Sequence, residues 1–244
     1  MNQGKHGLRA FGLAIVAVLG LMALMAAGAQ ANWLILLKEN DPTSIDTPTS
    51  NVLVKVVKHT ADMTDLITGV NLSILCKKIE GDDVLLIPGT ATTATASGTL
   101  LFSECEGIEK STGKTAANCK PAEPIQAAGK MLTVLHTNGR NYLLFEPESG
   151  KPFTTIKFSE LCALTETSNI TGELVFECGL LNGSGVFVGE DCKNHQKVHL
   201  MQQAPEALFP GQLKYGTHVS TVDGIVADEL VGAPFTGLSW SGEA

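Results

Sequence analysis

"MLTVLHTNGRNYLLFEP" (131–147) sets two apolar runs on either side of Asn138-Gly139. Asn-Gly suits a two-residue type I′ hairpin turn, because both central residues of that turn need positive φ. The stretch therefore reads as an antiparallel hairpin turning at 138–139. Runs rich in Val, Ile, Leu, Thr and Phe recur around it: "NVLVKVV", "VNLSILCKKI", "DVLLIPG", "GTLLFSEC", "FTTIKFS", "GELVFEC", "GVFVG", "KVHLM", "QLKYG" and "GLSWSG". Gly, Asn, Asp, Pro and Ser separate them. Short strands at this spacing predict an all-β chain, either an antiparallel sandwich or a barrel-like fold. Helical signal is slight: "ADMTDLITGV" (61–70) is compatible with a short helix, and "APEALFPG" (204–211) with a helical turn. "KENDPTSIDTPTSN" (38–51) reads as a surface loop, and "GTATTATASGT" (89–99) as an exposed edge or loop.

One phrase is written twice. "SGTLLFSEC" (97–105) is echoed by "TGELVFEC" (171–178), and thirteen residues lead from each closing cysteine to a Cys-Lys pair. The copies align only if Ser103 is an extra residue, and an extra residue reverses every later side chain unless a bulge absorbs it. A duplication accounts for this, with two convergent hairpins as the alternative. The chain then divides into loosely related halves, approximately 71–147 and 153–241.

The N-terminus follows a different logic. Lys5 and Arg9 precede an apolar stretch from Ala10 to Ala27, and small residues surround Ala29 and Ala31. This is the layout of a secretory signal peptide over 1–31, cleaved after Ala31. An uncleaved anchor is the alternative, since the stretch approaches spanning length. The expected mature chain, 32–244, has 244 − 31 = 213 residues. With Lys5 and Arg9 removed its charge is 15 − 25 = −10. A negative chain without a basic cluster has no electrostatic footprint for nucleic acid.

Cys76, Cys105, Cys119, Cys162, Cys178 and Cys192 all lie beyond the signal. An even count in an exported chain predicts three structural disulfides. Six cysteines allow fifteen pairings. If the halves are related, the economical set is Cys105–Cys119, Cys178–Cys192 and Cys76–Cys162, with each short loop worth on the order of 3 kcal/mol.

The order of "VNLSILC", "SGTLLFSEC", "CKP", "MLTVLH", "YLLFEP", "TGELVFEC" and "GLSWSG" resembles a group of exported, β-rich proteins of soil actinobacteria without an assigned function. The resemblance spans most of the mature chain and consists of strands and cysteines. It implies a shared fold and an extracytoplasmic address, and it carries no catalytic or binding residue.

Local chemistry is weakly signalled. "GIEKSTGKT" (107–115) approaches a phosphate-binding loop, but five residues, not four, separate Gly107 from Gly113, and no helix pattern follows. A lysine-bearing hairpin loop is the better account. "CKNHQKVHL" (192–200) places Cys192, His195 and His199 within reach of a zinc-like spacing, yet only two histidines cluster and the cysteine is expected to be oxidised. "EGDD" (80–83) groups Glu80, Asp82 and Asp83 at an expected turn without the ligand spacing of a calcium loop. No Gly-x-Ser-x-Gly elbow occurs, and His59, His136, His195, His199 and His218 lie in no triad-like setting. Paired carboxylates leave no local signature, but Trp33, Trp240, Tyr142 and Tyr215 are few for a sugar platform. Asn71, Asn169 and Asn182 sit in Asn-x-Ser/Thr triplets.

The sequence thus leads to an exported, disulfide-stabilised structural or interaction module of the cell envelope or extracellular space. No catalytic, cofactor-binding or metal-binding residue is assigned, no cofactor and no nucleic acid are expected, and a cell-envelope or protein partner fits the reading. Membrane attachment follows only if the signal stays uncleaved. The alternatives are a secreted hydrolase whose acid/base site is hidden in the fold, with His136 and His195 as the histidines to watch, and a β-barrel small-molecule carrier. An open lumen would favour the carrier.

Overall fold

The computed structural model describes residues 32–38, 41, 43–46, 51–58, 64–67, 71–87, 95–162, 164 and 167–244. The signal segment and His59 lie outside these. The strands, numbered along the chain, are β1 (Asn32–Leu36), β2 (Ile45–Asp46), β3 (Val52–Lys58), β4 (Thr64–Ile67), β5 (Leu72–Ile87) and β6 (Thr95–Glu109). They continue with β7 (Lys114–Thr115), β8 (Ile125–Leu135), β9 (Asn141–Pro147), β10 (Thr154–Lys157), β11 (Thr167–Gly172) and β12 (Leu174–Leu181). The last are β13 (Phe187–Glu190), β14 (Val198–Gln203), β15 (Leu213–Tyr215), β16 (His218–Asp223), β17 (Val226–Val231) and β18 (Ser239–Glu243). A 3-10 turn at Ala117–Cys119 is the one helical element among the described residues. The all-β expectation holds.

Eight antiparallel strands close a ring in the order β5-β3-β17-β14-β12-β9-β8-β6, with β6 returning to β5. Closure removes the unpaired edges that an open sheet would leave. Strand alternation sorts the side chains: Val52, Val54 and Val56 of β3 are buried while Leu53 is exposed. The ring fills from all sides, with Ile79, Leu86, Leu100, Phe102, Ala127, Phe145, Leu174, Phe176, Met201 and Leu230 buried in one core. Two spaces within it measure about 20 Å³ and about 30 Å³. Each has room for a water or two. Small-molecule sites run to roughly 300–1,000 Å³. Among the described residues the barrel interior is filled by side chains.

A small sheet, β18-β1-β2, covers one mouth. Trp33 of β1 and Trp240 of β18 are fully buried there, ring edge to ring face with centroids 5.7 Å apart. At the other end the β5–β6 hairpin runs on past the ring. Its far half joins a second sheet, β10-β11-β15-β16-β4-β5-β6-β7.

The passage between the two sheets happens at one level of the hairpin. Phe102 and Cys105 are both buried, although two residues separate them; on β5, Cys76 and Ile79 are both buried around exposed Lys77 and Lys78. The register runs unbroken through this level, Cys76↔Cys105, Lys78↔Ser103 and Ile79↔Phe102, so both strands change facing together without a bulge; the hairpin's register shift lies between Asp82 and Leu85. Between Ser103 and Cys105 on β6, Glu104 has a positive φ of 54°. The backbone N–H groups of Glu104 and Cys105 donate to the Glu123 carboxylate at 2.7 and 2.8 Å. The bulge expected at Ser103 is not there: Ser103 pairs in register with Lys78.

Several local expectations are corrected. "VNLSILCKKI" and "DVLLIPG" form one strand, so Glu80, Gly81 and Asp82 sit in the barrel wall and not at a turn. A Cβ on Gly81 would come within 2.9 Å of Val56, so the residue serves close packing. Thr64–Ile67 is strand where a helix was expected, because Cys76, Leu75, Ile74 and Ser73 offer it a ladder; the rest of 61–70 lies outside the described residues. Within 38–51, Ile45–Asp46 is strand paired to β1, and within 89–99 the described part belongs to β6. The 131–147 hairpin is present, but its turn has three loop residues. His136 N–H bonds Arg140 C=O, Gly139 N–H bonds His136 C=O, and only Gly139 has positive φ. That is a type I turn closed by a left-handed glycine, not type I′. The turn expected at 204–211 is there, with Phe209 N–H on Pro205 C=O.

All six cysteines pair, but as Cys76–Cys105, Cys119–Cys162 and Cys178–Cys192. One expected pair stands, and Cys105–Cys119 and Cys76–Cys162 are overturned. The cause is the long hairpin: it sets Cys76 directly opposite Cys105, leaving Cys119 for Cys162 near β10. The two echoed phrases lie on two barrel strands, β6 and β12, yet their cysteines staple different things.

Candidate functional site

The polar chemistry of the interior gathers under the cap sheet. β14 and β17 pair with His199 opposite Asp228, and both are buried. The strand phase puts them there. Val226, Asp228 and Leu230 alternate toward the interior of β17, and Asp228 lines the larger space together with Val54, Leu86, Phe145, Trp33 and Trp240. The Nε2–H of His199 donates to the Trp240 carbonyl at 2.7 Å, and its ring lies 4.3 Å from the Trp240 ring, centroid to centroid. A carbonyl only accepts, so Nε2 carries the proton and Nδ1 is a bare acceptor.

Burial dominates the ionisation of both groups. It pushes the His199 imidazole down to about 4, against the pull of the Trp240 carbonyl; the neighbouring charge of His195 pushes the same way. It drives the Asp228 carboxyl well above the usual carboxylate range, against backbone N–H groups of Asp228 and His199. The interior therefore favours a neutral imidazole facing a neutral acid. His199 Nδ1, Asp228 Oδ1, Thr133 Oγ1 and the indole nitrogens of Trp33 and Trp240 are buried without a hydrogen-bond partner. Of these residues, Trp33, Asp228 and Trp240 line the space of about 30 Å³.

The residues singled out in the sequence are not assembled into a centre. His195 is half-buried beside Ser241, its Nε2 3.4 Å from the hydroxyl, and burial lowers its pKa against the charge of Glu243. His136 lies instead against Tyr142 and Phe209 on the outer face of β8 and β9, with Arg140 over the Tyr142 ring. His218 is exposed on β16. Cys192 is oxidised and His199 is committed to Trp240, so the zinc-like spacing of 192–200 is dismantled. Among the described residues no group of three or more His, Cys, Asp or Glu side chains is placed to hold a metal ion. Glu80 pairs with Lys78 at 2.8 Å. "GIEKSTGKT" is the turn between β6 and β7, where Gly107 packs on the Cys119 carbonyl. The triplet asparagines are exposed and engaged: Asn71 with Ser111, Asn169 with Thr155 and Asn182 with the backbone of Ser184 and Val186.

Asp228 escaped the sequence reading. Its signal was the phase of "VADELV", which places a carboxylate on an apolar strand face. Compared with known proteins, the chain matches no family model, no curated protein and no solved structure. Three disulfides fit an oxidising, non-cytoplasmic compartment. Among the described residues no helix is long and apolar enough to cross a membrane.

Proposed function

We propose that this chain is an exported structural or interaction module of the cell envelope or extracellular space. The observation that carries the reading is the filled barrel: side chains from its strands occupy the lumen, and the cap sheet seals one mouth with Trp33 and Trp240. A carrier uses the lumen and a hydrolase uses a cleft where acids and bases converge. Here the acid and imidazole are buried beneath the cap sheet, beside a space with room for a water or two, so on this reading a partner meets the outer surface. The disulfides, which an oxidising exterior keeps formed, brace that surface.

Expression of the full chain in an exporting bacterial host, followed by fractionation and lysine-directed crosslinking, tests this. The expected product is an oxidised chain in the envelope or medium that crosslinks into an assembly, with itself or with another envelope component. A chain kept in the cytosol with free thiols, or one that stays a free monomer in the medium, overturns the reading.

A further inference from the structure

Among the described residues, the β12–β13 hairpin leaves a longer open edge than the two-residue strands β2 and β7, which also end their sheets. The β10 edge is covered by Pro121 and Ala122, and the β18 edge by Gln196. Among the described residues β13 pairs with β12 alone. From Gly179 to Gly189 the hairpin carries no charged residue, in a chain of net charge −8. Leu180, Val186 and Val188 stand 43, 58 and 48% exposed along it. A Cβ on Gly183 or Gly185 would meet nothing within 4 Å, so the tip projects into open space. At its base Cys178–Cys192 fixes the two strands, which reduces the ordering cost of docking.

The ladder fixes which backbone groups face outward. Asn182 N–H bonds Val186 C=O at the tip, and the pairs below are Leu181↔Phe187, Leu180↔Val188 and Gly179↔Gly189. Antiparallel pairs alternate between bonded and non-bonded, so Leu180↔Val188 is bonded, and Phe187 and Gly189 turn their N–H and C=O away from β12.

We propose that this edge is the contact through which two copies of the chain associate, β13 against β13 about a two-fold axis. The inference deepens the interaction-module reading and rests on it. With Val188 on the axis, Phe187 of each copy exchanges both backbone hydrogen bonds with Gly189 of the other. The antiparallel edge is self-complementary, as an isologous contact requires. Charge selects the occupant: two acidic copies repel over most approaches, and the uncharged hairpin is where they can close within a screening length. Natural edges are usually blunted by lysine or proline, and this one has neither.

Sedimentation equilibrium of the oxidised full chain tests the contact, with amide exchange as a second readout. The expected result is a concentration-dependent dimer in which the Phe187 and Gly189 amides become protected as the dimer fills. V186K/V188K changes two exposed side chains, so its melt should match the parent while association weakens by at least about tenfold. A parent chain monomeric at every concentration overturns the proposal. So does a dimer that V186K/V188K leaves intact, or whose Phe187 and Gly189 amides stay unprotected. A hairpin-independent assembly leaves the module reading standing, whereas a chain that never assembles with anything sinks both.

Discussion

His199 and Asp228 face each other across the β14–β17 ladder inside the barrel, and each keeps one polar atom without a partner. An imidazole and a carboxyl at opposed positions of a ladder would ordinarily pair as ions. Here burial holds both neutral, and the two titrations act on stability from opposite sides.

For Asp228 the folded pKa lies above the unfolded one, so the folded state binds more proton as pH rises past 3.8. Its contribution is therefore complete at low pH and is lost as pH climbs toward the folded value. Asp228→Val, which removes the carboxyl and keeps a similar volume, should raise stability at pH 8 by about 1–3 kcal/mol and flatten this slope. Urea melts of both chains at pH 5 and pH 8 measure it. A variant less stable than the parent at pH 8 would show that the carboxyl is paired in solution.

For His199 the sign reverses. Its pKa falls from 6.5 to about 4 on folding, so the unfolded state binds the extra proton. The stabilisation is complete above pH 6.5 and disappears as pH drops toward 4, up to about 3 kcal/mol in all. Imidazole NMR should show His199 neutral at pH 5, with the proton on Nε2. Titration near 6.5 contradicts the burial seen here.

The staples should differ in strength by the loops they close. Sequence separations of 14, 29 and 43 belong to Cys178–Cys192, Cys76–Cys105 and Cys119–Cys162. Chain entropy then assigns them about 3, about 3.6 and about 4 kcal/mol. Paired serine substitutions should rank in that order in denaturant melts. Non-reducing peptide mapping is the sharper check, since a Cys105–Cys119 peptide is incompatible with the ladder that opposes Cys76 to Cys105.

What the sequence made legible was set by range. The strand periodicity, the 131–147 hairpin (though not its turn type) and the oxidised state of the cysteines are local or compositional, and each was readable. Cys178–Cys192 was readable too, because its partners flank one hairpin. The other two pairings depended on a hairpin whose middle, "EGDD", has the composition of a turn. Only the ladder with β3 and β6 makes that stretch a barrel wall, with Gly81 packed on Val56. Thr64–Ile67 is strand for the same reason, tertiary pairing overriding weak helical signal. Asp228 looked like one more surface acid until closure of the ring turned its face inward.

Where the β5–β6 hairpin leaves the barrel for the second sheet, Glu104 and Glu123 shape its backbone. Glu104 holds φ at 54°, a left-handed conformation that a side chain disfavours by about 1–2 kcal/mol. Glu104→Gly relieves that crowding but adds freedom to the unfolded chain, so a net gain of about 0.5–1 kcal/mol is expected. Glu123 acts in the opposite direction, because its carboxylate accepts from two consecutive backbone N–H groups at once. Glu123→Gln leaves a single acceptor oxygen for two donors and should cost about 1–2 kcal/mol. Chemical melts of the two single variants and the double variant form a cycle that reads their coupling. If Glu104→Gly destabilises while Glu123→Gln is silent, the facing change is held by the strand pairing on either side and not by this pair.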